Sequence, residues 1–375
     1  MLLNEDQVMI RDAVRAFAQA ELWPHAAQWD RDHTFPREAH QGLAALGAYG
    51  ICVPEEFGGA GLGYLTLALV LEEIAAGDGG TSTAISVTNC PVNAILMRYG
   101  SDAQKKKWLT RLAQGELLGV FCLTEPHVGS DASALRTTAT REGDSYVING
   151  VKQFITSGKN GHLAVVIAVT DKGAGKRGMG AFLVPTDTPG YIVSRLEEKI
   201  GQHSSDTAQI TFENCRIPAE SLIGEEGEGY RIALSALEGG RIGIAAQSVG
   251  MARSALDVAI DYAKQRESFG TAIFNHQAVS FRLAECATKL EAARQLIWHA
   301  AALRDAGQPC LKEAAMAKLF ASEAAEQICS AAIQTLGGYG YVNDFPVERI
   351  WRDVRVCQIY EGTSDVQKII IARGL

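Results

Sequence analysis

A chain of 375 residues, 47% hydrophobic and 21% charged, has the composition of an ordinary soluble globular protein and the length for two or three cores. A formal net charge of −8, with no basic run longer than Lys105-Lys106-Lys107 (the solvated face of a helix), argues against a nucleic-acid partner, and no uncharged apolar run is long enough for a membrane. The eight cysteines, at 52, 90, 122, 215, 286, 310, 329 and 357, are scattered without a C-x-x-C pair; this excludes a zinc or disulfide framework, and with a charged N-terminus lacking a signal-peptide pattern it points to free thiols in the cytoplasm.

Val8, Val14, Phe17, Ala18 and Leu22 recur at helical spacing across residues 4–28, with Pro24 bending or ending the run. A second helix follows Phe35-Pro36 and stops near 47–50. The glycines at 58–63 do not fit G-x-G-x-x-G and follow no strand, so they read as a turn into a helix at 64–76 rather than a phosphate loop. Further helices fit 81–99 and 102–114, which makes residues 1–116 a helical domain.

Short apolar runs broken by Gly, Pro, Asp and Asn then follow at 120–123, 136–141, 146–148, 153–155, 163–170, 181–184, 191–193 and 208–212. Their spacing predicts an antiparallel, barrel-like β domain over 117–226. Residues Gly173 to Gly178 match G-x-G-x-x-G literally, but they lead from one strand to the next with no helix to receive a pyrophosphate. They read as a hairpin loop, and a dinucleotide-binding domain is rejected. Beyond Gly227, long helices end near Arg266 and cover 277–306 and 311–336, and a last one follows residue 361. Residues 227–375 are therefore expected to form an antiparallel four-helix bundle, giving an α+β, mainly α, fold.

Ser364 with Gln367 has the capping-box pattern for that last helix, and Thr363 is an alternative N-cap. Glu361 precedes it, where helix N–H groups and the positive dipole end gather, and Gly362 permits close approach or a positive φ. A carboxylate there is either a base or a solvated residue ahead of a helix. Two strand-end segments, Phe121 to Asp131 and Gln153 to Gly158, each combine an aromatic with hydroxyls that can bond a polar ring or phosphate. Taken alone, Phe154 reads more readily as a core residue than as a cofactor platform.

Together these segments carry a resemblance. Leu123-Thr124-Glu125-Pro126, Gly129-Ser130-Asp131, Phe154-Ile155-Thr156, Arg266-Glu267-Ser268-Phe269-Gly270, Gln277-Ala278-Val279, Gln334 to Gly340 and Ile359 to Asp365 occur in the order and spacing of the acyl-CoA dehydrogenases. The chain resembles that family along essentially its whole length. The resemblance implies FAD, with Phe121, Leu123, Thr124, Phe154, Ile155 and Thr156 along the isoalloxazine ring and Gly129 and Ser130 near cofactor and pantetheine. It implies Thr363 and Asp365 at the cofactor as well. It sends Arg266, Phe269, Gln277, Gln334, Gly337 and Gly338 to the FAD of a neighbouring subunit, although Arg266 alone also reads as a helix-dipole partner. Phe121 and Phe154 stand where many members carry Tyr and Trp, keeping an aromatic face but losing a donor.

The family places its catalytic base at one of two positions. One is the residue before Arg241, here Gly240, which has no side chain; the other is Glu361. Glu361 is therefore the expected base, with Glu238, Arg241, Gly362 and Ser130 toward substrate. The implied reaction is α,β-dehydrogenation of an acyl-CoA to a trans-2-enoyl-CoA, with electrons passing to an electron-transferring flavoprotein and a homotetramer (a dimer of dimers) as the assembly. Residues 237–247 look most like short-chain and short branched-chain members, such as butyryl- or isobutyryl-CoA dehydrogenase. An acyl-CoA oxidase or flavin monooxygenase on the same fold, and a non-enzymatic helical scaffold, are the other readings. No metal is expected.

Overall fold

The computed structural model describes residues 2–375. Asn4 caps the first helix, its Oδ1 accepting from Gln7 N (2.8 Å) while Gln7 Oε1 accepts from Asn4 N (3.1 Å). Helix α1 (Glu5–Phe17) runs through a π segment (Ala18–Leu22) into α2 (Trp23–Asp32). Pro24 thus does not end the run: it sits in the first turn of α2, where its missing N–H is not needed. Helices α3 (Arg37–Ala45), α4 (Tyr64–Gly77), α5 (Gly79–Val87) and α6 (Ala94–Tyr99) follow, then the short α7 (Asp102–Gln104) and α8 (Thr110–Ala113). The single helix expected over 81–99 is broken, because Cys90, ahead of Pro91, is extended (φ −149°, ψ 114°).

Eight strands form one sheet: β1 (Gly119–Cys122), β2 (Thr138–Glu142), β3 (Ser145–Thr156), β4 (Leu163–Val169), β5 (Met179–Pro185), β6 (Tyr191–Leu196), β7 (Thr207–Pro218) and β8 (Leu222–Ile223). Their order is β6-β7-β3-β2-β4-β5-β8, with β1 beside β4. The runs at 146–148 and 153–155 are one strand, β3. The sheet is not wholly antiparallel, because β1 and β2 both pair parallel to β4; each reaches it by the long connection that parallel pairing requires. The glycines at 173–178 lie in the β4–β5 hairpin, as expected.

Helix α9 (Gly229–Gln265) leads through a small hairpin, β9 (Glu267–Ser268) and β10 (Thr271–Ala272), to α10 (Gln277–Asp305) and α11 (Leu311–Leu336). Then come α12 (Gly338–Tyr341), α13 (Val347–Val354) and α14 (Ser364–Arg373). Helix α9 packs on α11, α10 and α4, so the core is shared between the two ends of the chain. Asp305, at the end of α10, caps α4 by accepting from Tyr64 N (2.6 Å) and Leu65 N (3.1 Å). Helix α13, absent from the sequence reading, buries Val347, Ile350 and Val354 together with Arg349 and Asp353.

Candidate active site

The chain leaves β1 through Leu123-Thr124-Glu125-Pro126, and a lysine buried beneath holds that loop in place. Lys152 Nζ, from β3, donates to Leu123 O (2.9 Å) and to Glu125 Oε1 (2.9 Å). The Glu125 carboxylate also accepts from Arg136 N (2.7 Å) and Thr137 N (3.0 Å). Burial alone would raise the Glu125 carboxyl, but the Lys152 ammonium and these backbone donors hold it below the ordinary range. Gln153 N donates to Thr124 O (2.8 Å), which joins the two strand-end segments into one unit.

Between the pairs Lys152↔Ile210 and Ile155↔Ala208, β3 carries one residue more than β7. This bulge turns Phe154 out of the sheet: it has φ +57° and is 63% exposed, between buried Gln153 and Ile155. Phe154 is a free aromatic face and not part of the core. Phe121 and Thr124 are half-buried and Leu123 is buried, while Gly129 and Ser130 lie exposed on the loop beyond. Ser157 N donates to Asp206 O (3.0 Å), and Ser157 Oγ is buried without a partner.

The loop that carries Glu361 is set by backbone strain and by two buried side chains, Lys318 and Gln367. Glu361 has φ +54° and Gly362 φ +89°, consecutive left-handed residues, the first costing about 1 kcal/mol for a non-glycine. A Cβ at Gly362 would stand 2.8 Å from Gln367 Nε2, so a glycine is required there on both counts. Gln367 Nε2 donates to Gly362 O (2.7 Å) and Glu361 O (3.2 Å), and Lys318 Nζ, from α11, donates to Gly362 O (2.7 Å). Thr363, not Ser364, is the N-cap of α14: Thr363 Oγ1 accepts from Val366 N (3.3 Å). Gln367 is drawn to the Glu361 and Gly362 carbonyls, so the expected Ser364 capping box does not form, and Ser364 Oγ is buried without a partner.

The Glu361 carboxylate lies over Gly240 of α9. A Cβ there would meet Oε2 at 2.6 Å and Cδ at 2.9 Å. Glu361 Oε2 is buried and has no hydrogen-bond partner among the described residues. Burial pushes its pKa up to about 7, against the pull of Arg241 and Lys318. Arg241 is buried, with Nε and Nη1 unpartnered among the described residues, and burial lowers its pKa although Glu361 and Glu238 pull it up. Glu238 accepts from Arg304 Nη1 (3.0 Å) and Cys310 Sγ (3.2 Å), with the Arg304 guanidinium over the Tyr64 ring.

A polar network brings the Glu361 loop and the strand ends to one seam. Tyr360 Oη donates to Gln247 Oε1 (2.7 Å); Gln247 Nε2 donates to Gly79 O (2.7 Å) and to Thr83 Oγ1; Thr83 Oγ1 donates to Gln202 Oε1 (2.7 Å). Gln202 begins the segment whose Asp206 receives the Ser157 N–H beside Thr156. The donor set suits a flavin: an outward aromatic at Phe154, and buried, unpartnered hydroxyls at Ser157 and Ser364 next to the segments expected to line it. Asp365 lies exposed in the first turn of α14.

The remaining predicted residues form a second cluster. Arg266 closes α9, Phe269 stands 96% exposed on the small hairpin at φ +52°, and Gln277 opens α10. Gln334 is exposed near the end of α11, followed by Gly337 and Gly338. A cavity lined by Trp23, Tyr262, Arg266, Tyr339 and Phe345 joins the end of α9 to α12.

Models of the acyl-CoA dehydrogenase N-terminal, middle and C-terminal domains match residues 4–116, 120–215 and 227–375. The chain belongs to the acyl-CoA dehydrogenase family. Members of this family are FAD-dependent oxidoreductases, and this chain is an enzyme of that class. Among its relatives is the human mitochondrial short-chain specific acyl-CoA dehydrogenase, 47% identical over 100% of this chain and 90% of that protein. Butyryl-CoA dehydrogenase from Megasphaera elsdenii superimposes with a TM-score of 0.98 at 38% identity, over 100% and 99% of the two chains. A chain in a solved structure of the electron transferring flavoprotein of Acidaminococcus fermentans gives a TM-score of 0.98 at 44% identity, over 100% and 98%. The sequence reading missed the roles of Lys318, Lys152 and Gln247, and it gave Gln367 to a capping box where the structure puts it on the Glu361 and Gly362 carbonyls. A lysine among Ala314, Ala315, Ala317 and Ala321 was the one visible signal, since a charge inside an apolar stripe needs a partner.

Proposed function

We propose that this dehydrogenase oxidises a short straight-chain or short branched-chain acyl-CoA to the trans-2-enoyl-CoA, with Glu361 as the base that takes the α-proton. The observation that carries this reading is the Glu361 carboxylate, whose Oε2 is buried over Gly240 with no hydrogen-bond partner among the described residues; burial pushes its pKa up to about 7, where a general base works best. Leu123-Thr124, Phe154-Ile155-Thr156 and Thr363 to Asp365 would hold FAD, which would supply the hydride acceptor. Glu361 Oε2 would receive the proton, and a backbone N–H of the Glu361 loop would stabilise the thioester oxygen as charge gathers there. Arg241 and Lys318 favour the ionised base. Arg241, Glu238, Gly362 and Ser130 face the substrate in this reading.

The short-chain assignment is supported by residues 237–247 and by the names of the human and Megasphaera relatives. An electron-transferring flavoprotein is the proposed electron acceptor, supported by the Acidaminococcus match. The exposed Phe269 cluster supports a homotetramer in which Arg266, Phe269, Gln277, Gln334, Gly337 and Gly338 reach a neighbour's FAD. We take the domains as 1–116, 117–226 and 227–375, and the eight free thiols support a reducing cytoplasm. The test is anaerobic titration of the purified yellow protein with straight and branched acyl-CoAs, followed by reoxidation with either flavoprotein or oxygen. Butyryl- or isobutyryl-CoA should bleach the flavin, and the flavoprotein should restore it. Bleaching by none of the panel refutes the reaction, and rapid peroxide formation assigns an oxidase.

A further inference from the structure

Lys318 lies fully buried in the middle of α11, walled by Ala314, Ala315, Ala317 and Ala321. A buried ammonium persists only where something compensates it. Its hydrogen bond goes to one atom, Gly362 O at 2.7 Å, immediately after the proposed base. Gln367 Nε2 holds the same carbonyl at 2.7 Å, so two donors from two helices fix the peptide that follows Glu361. That peptide sits in a strained turn, φ +54° then +89°, which relaxes unless its surroundings over-determine it. The orientation of this turn decides whether the Glu361 carboxylate covers Gly240.

We propose that Lys318 is a positioning residue for the base: its ammonium pins the Gly362 carbonyl, keeps the Glu361 carboxylate over Gly240, and favours the ionised base. This rests on Glu361 being the base. The charged and titratable groups facing the pair are Arg241 from α9, Cys90 from the break between α5 and α6, Cys357 from the turn after α13, and Glu323 from α11 itself. Burial lowers the Lys318 pKa to about 8, with Cys357, Glu361 and Glu323 pulling it up and Arg241 pushing it down. The side chain is thus cationic over the range in which Glu361, at about 7, becomes a carboxylate. Removing this cation raises the base's pKa, so activity must begin at higher pH.

The experiment uses flavin-loaded wild type, Lys318→Met, Lys318→Arg and Glu361→Gln with butyryl-CoA. Flavin absorbance reports folding, and the pH profile of kcat/KM reports the free enzyme's base. Lys318→Met should keep KM within about twofold and lower kcat by about 10- to 100-fold. Its acidic limb should move up by about one pH unit. Lys318→Arg should return the limb to the wild-type position while kcat stays reduced, because its longer planar head carries the charge without the same hydrogen bond. A folded Lys318→Met enzyme with wild-type kcat and acidic limb overturns the proposal. Should Lys318→Met fail to hold flavin, Lys318→Arg carries the test, and an upward shift of its limb overturns it. Full activity in Glu361→Gln refutes the base assignment itself; an inactive Glu361→Gln beside an unchanged Lys318→Met refutes the positioning role alone.

Discussion

A methyl group at position 240 would stand 2.6 Å from Glu361 Oε2, so the glycine makes the space that the proposed base occupies. Gly240 lies inside α9, where alanine is the better helix former by about 1 kcal/mol. Gly240→Ala should therefore leave the thermal midpoint unchanged or higher while the displaced carboxylate costs about 10- to 100-fold in kcat. Calorimetry and steady-state rates on the same preparation check this, and a fully active Gly240→Ala enzyme would show that the carboxylate acts from elsewhere. Glu361 and Gly240 were both legible in the sequence, because the family's motifs fix their register. Lys318 was not, since nothing in a linear chain says that the Gly362 carbonyl, 44 residues on, needs a donor. The N-cap was half legible: Thr363 and Ser364 both fit the pattern, and the pull of the Glu361 and Gly362 carbonyls on Gln367 chose between them.

At the level of elements, the two segments proposed to line the flavin are held to each other rather than built separately. The Lys152–Glu125 pair is buried on both sides and ties the loop after β1 to the bulged end of β3. Lys152→Met leaves the Glu125 carboxylate buried without its cation, which should cost about 3 kcal/mol. Urea unfolding measures that loss directly. Adding Glu125→Gln, which removes the stranded charge, should recover part of it; no recovery would mean that packing around Lys152, and not the charge, sets the cost. Helices and strands with strong periodicity were read from the chain to within a few residues, including α10 and α11. Helix α13 was not, because Pro346 and four charged residues (Glu348, Arg349, Arg352, Asp353) resemble a loop until α9 and α11 bury its apolar side. The parallel pairing of β1 with β4 was likewise invisible, since alternation sets which face a residue takes and not which strand lies beside it.

Across the whole molecule, the first and last parts of the chain enclose the site jointly. Asp305 caps α4, and Gln247 and Tyr360 bond back to Gly79 and Thr83 of α5, so the loop that carries the proposed base is tied to both parts of the chain. The single chain also leaves Phe269 96%, Tyr341 87% and Phe281 60% exposed, which is a large aromatic surface for water to cover. Phe269→Asp should shift the assembly to smaller species by light scattering and weaken flavin retention together. A full-sized assembly with bound flavin would place Phe269 outside any subunit contact.

The most direct measurement is anaerobic mixing of butyryl-CoA with flavin-loaded wild type and Glu361→Gln in a stopped-flow spectrophotometer. The wild type should bleach in a single fast phase. The Gln variant, still yellow and still binding the thioester, should bleach at least about 100-fold more slowly. Bleaching of Glu361→Gln at the wild-type rate would contradict the assignment of Glu361 as the base over Gly240.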